Sequence, residues 1–250
     1  MAGRPAARTF EETAELYERS RPGWPDAALD HVVRELGLER AAAVLDLGAG
    51  TGKLARALVE RFDDVVAVEP LAGMRALLES LVPVAEALSG EAERIPLSDD
   101  SVDAVFAAEA FHWFDGTSAL TEIARVLRPR GGLVLMWNVP DRPTEPSISA
   151  AGEVLNERGS HERQINRYDT GEWRKPFVGS PFEELRQVAF DNPQIVDREG
   201  LLAFFASMSW VAVLPEDERT GLLDEVRGRL DAESYTRFWR TEVHWTRLAA

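Results

Sequence analysis

Val44-Leu-Asp-Leu-Gly-Ala-Gly-Thr-Gly-Lys-Leu-Ala55 sets the architecture of this chain, because it joins an apolar strand to a helix through a turn with glycine at every second position. Gly48, Gly50 and Gly52 lack Cβ atoms, so the turn can bend sharply and bring its amides and carbonyls against a nucleotide-like ligand. A dinucleotide fingerprint G-x-G-x-x-G begun at Gly48 needs glycine at position 53, where Lys53 stands. That substitution disfavours a nicotinamide cofactor. Beyond a helical stretch, Val65-Val-Ala-Val-Glu-Pro70 reads as a second buried strand ending in a carboxylate, Glu69. A carboxylate there can accept both ribose hydroxyl protons, or it is one of the solvated acids common at strand ends. Further short apolar strands at 83–87, 104–107 and 133–137 alternate with helical stretches, which predicts a parallel, doubly wound sheet.

Leu45 to Gly52 resembles motif I of the class I S-adenosylmethionine (SAM) dependent methyltransferases, and several later segments agree with it. Ser89-Gly-Glu-Ala-Glu-Arg-Ile-Pro96 is similar to the family's segment after the third strand, where an acidic residue and its neighbour's amide read adenine. By position these are Glu91 and Ala92, and Glu91 departs from the usual aspartate. The run Ala108-Glu-Ala-Phe-His-Trp-Phe114 resembles the small-molecule branch that includes the trans-aconitate methyltransferase type. Tyr17-x-x-x-Arg21-Pro-x-Trp24-Pro25 is similar to the Tyr-x-x-x-Arg-Pro-x-Tyr-Pro signature of that branch, with Trp24 in place of tyrosine. Leu127-Arg-Pro-Arg-Gly-Gly-Leu-Val-Leu-Met136 matches a helix end, a Gly-Gly turn and a fifth strand. The resemblance is specific over roughly residues 11 to 140 and follows only the order of elements thereafter.

The resemblance implies an α/β, Rossmann-like fold: a doubly wound, seven-stranded, mostly parallel sheet with helices on both faces and an antiparallel C-terminal strand. A single domain over 1–250 would comprise an N-terminal helical cap (1–40), a SAM-binding core (41–140) and a lid or substrate region with the last strands (141–250). For the cofactor it implies Asp46, Gly48, Ala49, Gly50, Gly52, Glu69, Pro70, Met74, Glu91, Ala92 and Glu109, joined by Tyr17 and Arg21. Arg21 would pair with the methionine carboxylate or merely cap its helix, and Met74 would pack on adenine or inside its own helix. His112 and Tyr17 are the catalytic candidates, and His112, Trp113 and Trp137 would meet the acceptor. His112 either takes a proton from a hydroxyl or amine acceptor or packs its aromatic loop.

Composition narrows the partners. A net charge of −15, from 43 acidic and 28 basic residues, disfavours nucleic acid and anionic membranes, whose binding relies on neutralised phosphate. Without cysteine, and with only four scattered histidines, no metal site is expected. The start of the sequence lacks the apolar core of a secretory signal, and the run from Leu201 to Leu214 is too short to span a bilayer, so a cytoplasmic protein, monomeric or homodimeric, is expected.

The remaining elements are read from pattern. An amphipathic stretch over about 11–20 ends at the prolines after Arg21, and a second helix starts near Asp26. The composition changes at Asp141-Arg-Pro-Thr-Glu-Pro146, and the irregular segment to about Pro181 reads as an insertion or lid. A strand over 186–190, an apolar helix over 200–213, an amphipathic helix over 215–230 and a last edge strand over 235–248 follow. The leading function is methyl transfer from SAM to a small organic molecule, giving S-adenosylhomocysteine. A SAM-binding regulatory module without transfer, a nucleotide-dependent oxidoreductase and a protein or RNA methyltransferase are the alternatives.

Overall fold

The computed structural model describes residues 14–141, 145–158, 168 and 170–249. Ala43–Leu47 (β1) is buried at all five positions, as befits a parallel strand covered on both faces, which has no polar side to alternate with. Helices Ala14–Ser20 (α1) and Asp26–Glu35 (α2) precede it, parted by the two prolines at 22 and 25. After β1 come Lys53–Val59 (α3), Asp64–Val68 (β2), Ala72–Leu81 (α4), Glu86–Leu88 (β3), Val102–Ala108 (β4), a 3₁₀ turn at Phe111–Trp113, Gly116–Val126 (α5) and Leu127–Pro140 (β5). The rest is Pro146–Arg158 (α6), a 3₁₀ turn at Glu172–Phe177, Arg186–Asp197 (β6), Arg198–Ala206 (α7), Ser209–Ala212 (α8), Glu216–Arg227 (α9) and Ser234–Arg247 (β7).

The strands form one seven-stranded sheet in the order β3-β2-β1-β4-β5-β7-β6. β1 pairs in parallel with β2 and β4, β2 with β3, and β4 with β5. Strand order therefore reverses between β1 and β4, which makes their carboxyl ends the switch point where open α/β sheets bind ligands. β7 runs antiparallel to β5: the Asp141 N–H donates to the Phe238 carbonyl, and the Leu248 N–H to that of Gly131. The Rossmann-like, mostly parallel sheet with an antiparallel C-terminal strand is thus present.

Four element readings change. The tail over 235–248 is an inner strand, and β6 takes the edge instead. β6 continues past Phe190 through Pro193, which has no N–H to donate and is tolerated at an edge. The helix expected over 200–213 breaks, because the Ser207 hydroxyl turns back to the Phe204 carbonyl at 2.7 Å and Met208 is extended. Part of the segment expected to be irregular is α6, which buries Ile148, Ala151, Val154 and Leu155 at helical spacing. Residues 142–144, 159–167 and 169 of that segment, 11–13 of the amphipathic stretch, and 1–10, which carry the secretory-signal reading, lie outside the described residues.

Two compact units emerge, each built from three stretches of chain. The larger comprises Gly23–Asn138, Arg167–Phe190 and Thr241–Ala250, with Leu29, Val44, Phe106, Val134, Val243 and Trp245 among its core residues. The smaller comprises Met1–Pro22, Val139–Asn166 and Asp191–Arg240, with Leu155, Leu201, Phe205, Leu222 and Tyr235 in its core. The sequence regions 1–40 and 141–250 each contribute to both units. Among the described residues no helix is long and apolar enough to cross a membrane.

Candidate active site

The glycine turn adopts the conformation that its spacing requires. Gly48, Gly50 and Gly52 have φ of 73°, 57° and 85°, in the left-handed region that favours glycine. The Gly48 and Ala49 amides both donate to the Val68 carbonyl, which ties the turn to the end of β2. A Cβ on Gly48 would lie 2.8 Å from that of Ala110, and one on Gly52 would press Leu78 at 3.0 Å. A Cβ on Gly50 would meet nothing within 4 Å. The middle glycine therefore faces open space, where a ligand can approach the backbone.

Two acids flank this turn. Glu69 is buried just after β2, and its two carboxylate oxygens accept the Gly50 N–H at 2.8 Å and the Leu71 N–H at 2.9 Å. It holds the turn in shape, and a carboxylate has acceptor sites for more than two donors. Asp46, on β1, is 1% exposed, and neither of its oxygens has a hydrogen-bond partner of normal geometry among the described residues. Burial first, and the Glu69 charge after it, push its pKa up to about 7, against a lowering by the Ala55 amide. A buried carboxylate with only the Ala55 amide against it, beside an open glycine turn, fits a cationic, N–H-bearing cofactor such as SAM. Of the other cofactor candidates, Pro70 and Glu91 are exposed, whereas Met74 and Ala92 are buried.

Beyond β4 the chain is bent by Glu109, whose φ of 52° is unusual for a residue with a side chain. The strain, about 1–3 kcal/mol, is held by two bonds. The Glu109 N–H donates to the Met136 carbonyl at 2.9 Å, and its Oε1 accepts the Asn138 N–H at 2.8 Å. This bend leads directly into the Phe111–Trp113 turn.

His112 lies in that turn, half-buried, and its Nδ1 accepts the indole N–H of Trp137 at 3.0 Å. Indole nitrogen only donates, so the neutral imidazole carries its proton on Nε2 and is itself a donor there. Trp137 is 1% exposed, with the rings of Tyr168 and Trp173 each 4.6 Å away and His244 edge-on at 5.7 Å. Trp137 is thus buried, whereas Trp113 is exposed. Burial, then the charge of Arg174, lowers the His244 pKa to about 4 despite neighbouring Glu242, so this second histidine is neutral. Glu242 also accepts the Tyr168 hydroxyl. Tyr168, Trp173 and His244 complete the aromatic cluster, and no local pattern marks them because the cluster joins positions far apart in the chain.

Tyr17 and Arg21 lie in the smaller unit, together: the Arg21 guanidinium is 5.3 Å from the Tyr17 ring centroid and 4.7 Å from that of Phe204. Among the described residues no three His, Cys, Asp or Glu side chains gather as they would around a metal ion.

A doubly wound sheet with an open glycine turn at its switch point, one acid on the first strand and another just past the second, fits the class I fold of SAM-dependent methyltransferases. Residues 45–135 match the family model described as a methyltransferase domain. The chain is 39% identical over 219 residues to an uncharacterized methyltransferase of Mycobacterium tuberculosis, covering 88% of this chain and 84% of the relative. It is 33% identical over 232 residues to an uncharacterized methyltransferase-like protein of Schizosaccharomyces pombe, covering 92% and 88%. Its structure is similar to that of a protein from Anaeromyxobacter dehalogenans assigned as a type II methyltransferase, with a TM-score of 0.68, 25% identity, and coverage of 92% and 98%. This chain belongs to the SAM-dependent methyltransferase family.

Proposed function

We propose that the enzyme methylates a small organic acceptor in the cytoplasm, as a monomer or homodimer. SAM would supply an electrophilic methyl group on a sulfonium, open to in-line attack by an acceptor lone pair as the carbon–sulfur bond breaks and S-adenosylhomocysteine leaves. The protein's task is chiefly to position and desolvate. Gly48, Ala49, Gly50 and Gly52 would cradle the cofactor's backbone-contacting portion, Asp46 would meet a cationic or N–H group, and Glu69 with Pro70 would take the ribose. Met74, Glu91, Ala92 and Glu109 are assigned to the cofactor by position in the motifs, as are Tyr17 and Arg21. Trp113 would touch the acceptor, with Trp137 acting through His112.

The observation that carries a small acceptor is the Trp137–His112 hydrogen bond, which presents one oriented polar group from an aromatic surround. Such a setting suits a compact organic molecule better than a phosphate backbone, and the charge of −15 points the same way. In the state that Trp137 selects, His112 steadies an acceptor oxygen by donating from Nε2. Service as a base would require the ring to release Trp137. The test is transfer from SAM carrying a labelled methyl group into a cell extract separated by size. Label is expected in the small-molecule fraction, and label confined to protein or RNA would refute the reading. With the acceptor in hand, His112→Gln, which keeps a donor, should retain activity to within about tenfold; loss of a base costs roughly 10²–10⁴.

A further inference from the structure

Within the smaller unit, Arg237 on β7 is 7% exposed, and its Nε and Nη1 are buried without hydrogen-bond partners. Its guanidinium lies 3.5 Å from the Phe204 ring centroid and 4.1 Å from that of Trp239. The Arg21 guanidinium stands over the same Phe204 ring at 4.7 Å, and its Nε is likewise buried and unpartnered. Among the described residues no carboxylate pairs with either arginine. Four other arginines of this unit have carboxylate partners: Arg19 with Asp197, Arg158 with Glu225, Arg227 with Glu199 and Arg240 with Asp141.

A buried cation and a half-buried one sharing one ring are unfavourable by themselves. Cation–π contact returns about 0.5–2 kcal/mol each, against a cost of several kcal/mol for a buried charge without a counter-ion. Burial and the neighbouring Arg21 both push the Arg237 pKa well below its ordinary value, which registers the same penalty. The surround is nevertheless organised. The Trp239 N–H donates to Gln194 Oε1 at 3.1 Å, and Gln194 Nε2 donates to the Ser20 carbonyl at 3.2 Å, so the ring under Arg237 is fixed. An organic anion would supply the missing charge to the guanidinium fork and apolar contact to Phe204 and Trp239.

We propose that Arg237, on the ring that Arg21 also faces, is a binding site for the carboxylate of an organic anion.

The test titrates acetate, glutarate and 3-phenylpropionate, with 3-phenylpropionamide as neutral control, by calorimetry into protein saturated with S-adenosylhomocysteine. At least one carboxylate is expected to bind, and 3-phenylpropionate to bind roughly tenfold tighter than its amide. Arg237→Met should erase that preference while changing the affinity for S-adenosylhomocysteine less than about twofold, and should raise the melting temperature of ligand-free protein as the unpaired charge is removed. Arg237→Lys, which keeps the cation without the fork, should fall between the two in carboxylate affinity. Failure of all three carboxylates to bind, or equal binding of the amide, would overturn the proposal. So would a roughly tenfold loss of S-adenosylhomocysteine affinity in Arg237→Met, which would assign the site to the methionine carboxylate of the cofactor.

Discussion

Gly48 and Gly50 stand two residues apart and answer to different constraints. At Gly48 an added methyl group collides with Ala110 and also strains a φ of 73°, so Gly48→Ala should destabilise the fold by about 2–4 kcal/mol. At Gly50 only the φ of 57° opposes a side chain, costing about 1 kcal/mol. Gly50→Ala should therefore melt near the wild type yet lose affinity for S-adenosylhomocysteine, because its methyl group enters the open face of the turn. Calorimetric titration and thermal melts separate the two, and wild-type affinity in Gly50→Ala would contradict the placement of the cofactor. The positive φ at these positions is legible in sequence, since glycine at alternate positions after an apolar strand has few other uses. The orientation of His112 is not, because it depends on Trp137, whose indole reaches it only after folding.

The helix after the aromatic turn starts from Asp115, whose carboxylate accepts the Ser118 N–H at 3.1 Å. Asp115→Ala should cost about 1 kcal/mol through the lost cap, seen as a lower denaturant midpoint with an unchanged slope. A larger loss would mean that the cap also holds the Phe111–Trp113 turn. Fully buried strands could be read from the sequence because their causes are local. Strand order past β5 could not. Tyr235 onward has the aromatic, β-branched composition of any strand, and nothing in it states that β6 lies outside it. Pro193 was the available clue, since a strand proline points to an edge. The break after α7 rests on one serine bonding back to a carbonyl, a choice that an apolar run such as 200–213 does not reveal.

Protonation of Asp46 links the cofactor site to the stability of the fold. Its pKa rises from 3.8 to about 7 on folding, so the folded state holds the proton more tightly than the unfolded chain. Stability from this group is complete below pH 4 and is lost as pH rises toward 7, by a few kcal/mol in all. Asp46→Asn should consequently melt higher than the wild type at pH 8, with the advantage shrinking to nothing near pH 4. A constant difference between the two proteins across that range would show that Asp46 does not titrate there. For the same reason a cationic cofactor should bind the wild type more tightly as pH rises through 7, with release of a proton. The overall charge and the glycine turn, both visible in the sequence, suggested an acidic protein with a nucleotide-like ligand; the coupling between them is visible only where Asp46 and Glu69 meet in three dimensions.

Each unit draws on β7, which gives Tyr235, Arg237 and Trp239 to the smaller and Val243 and Trp245 to the larger. On the ribosome, neither core can close until that strand has emerged, although the glycine turn was made nearly two hundred residues earlier. A nascent chain stalled before β7 would for that reason expose unfinished apolar surface of both units to chaperones at once.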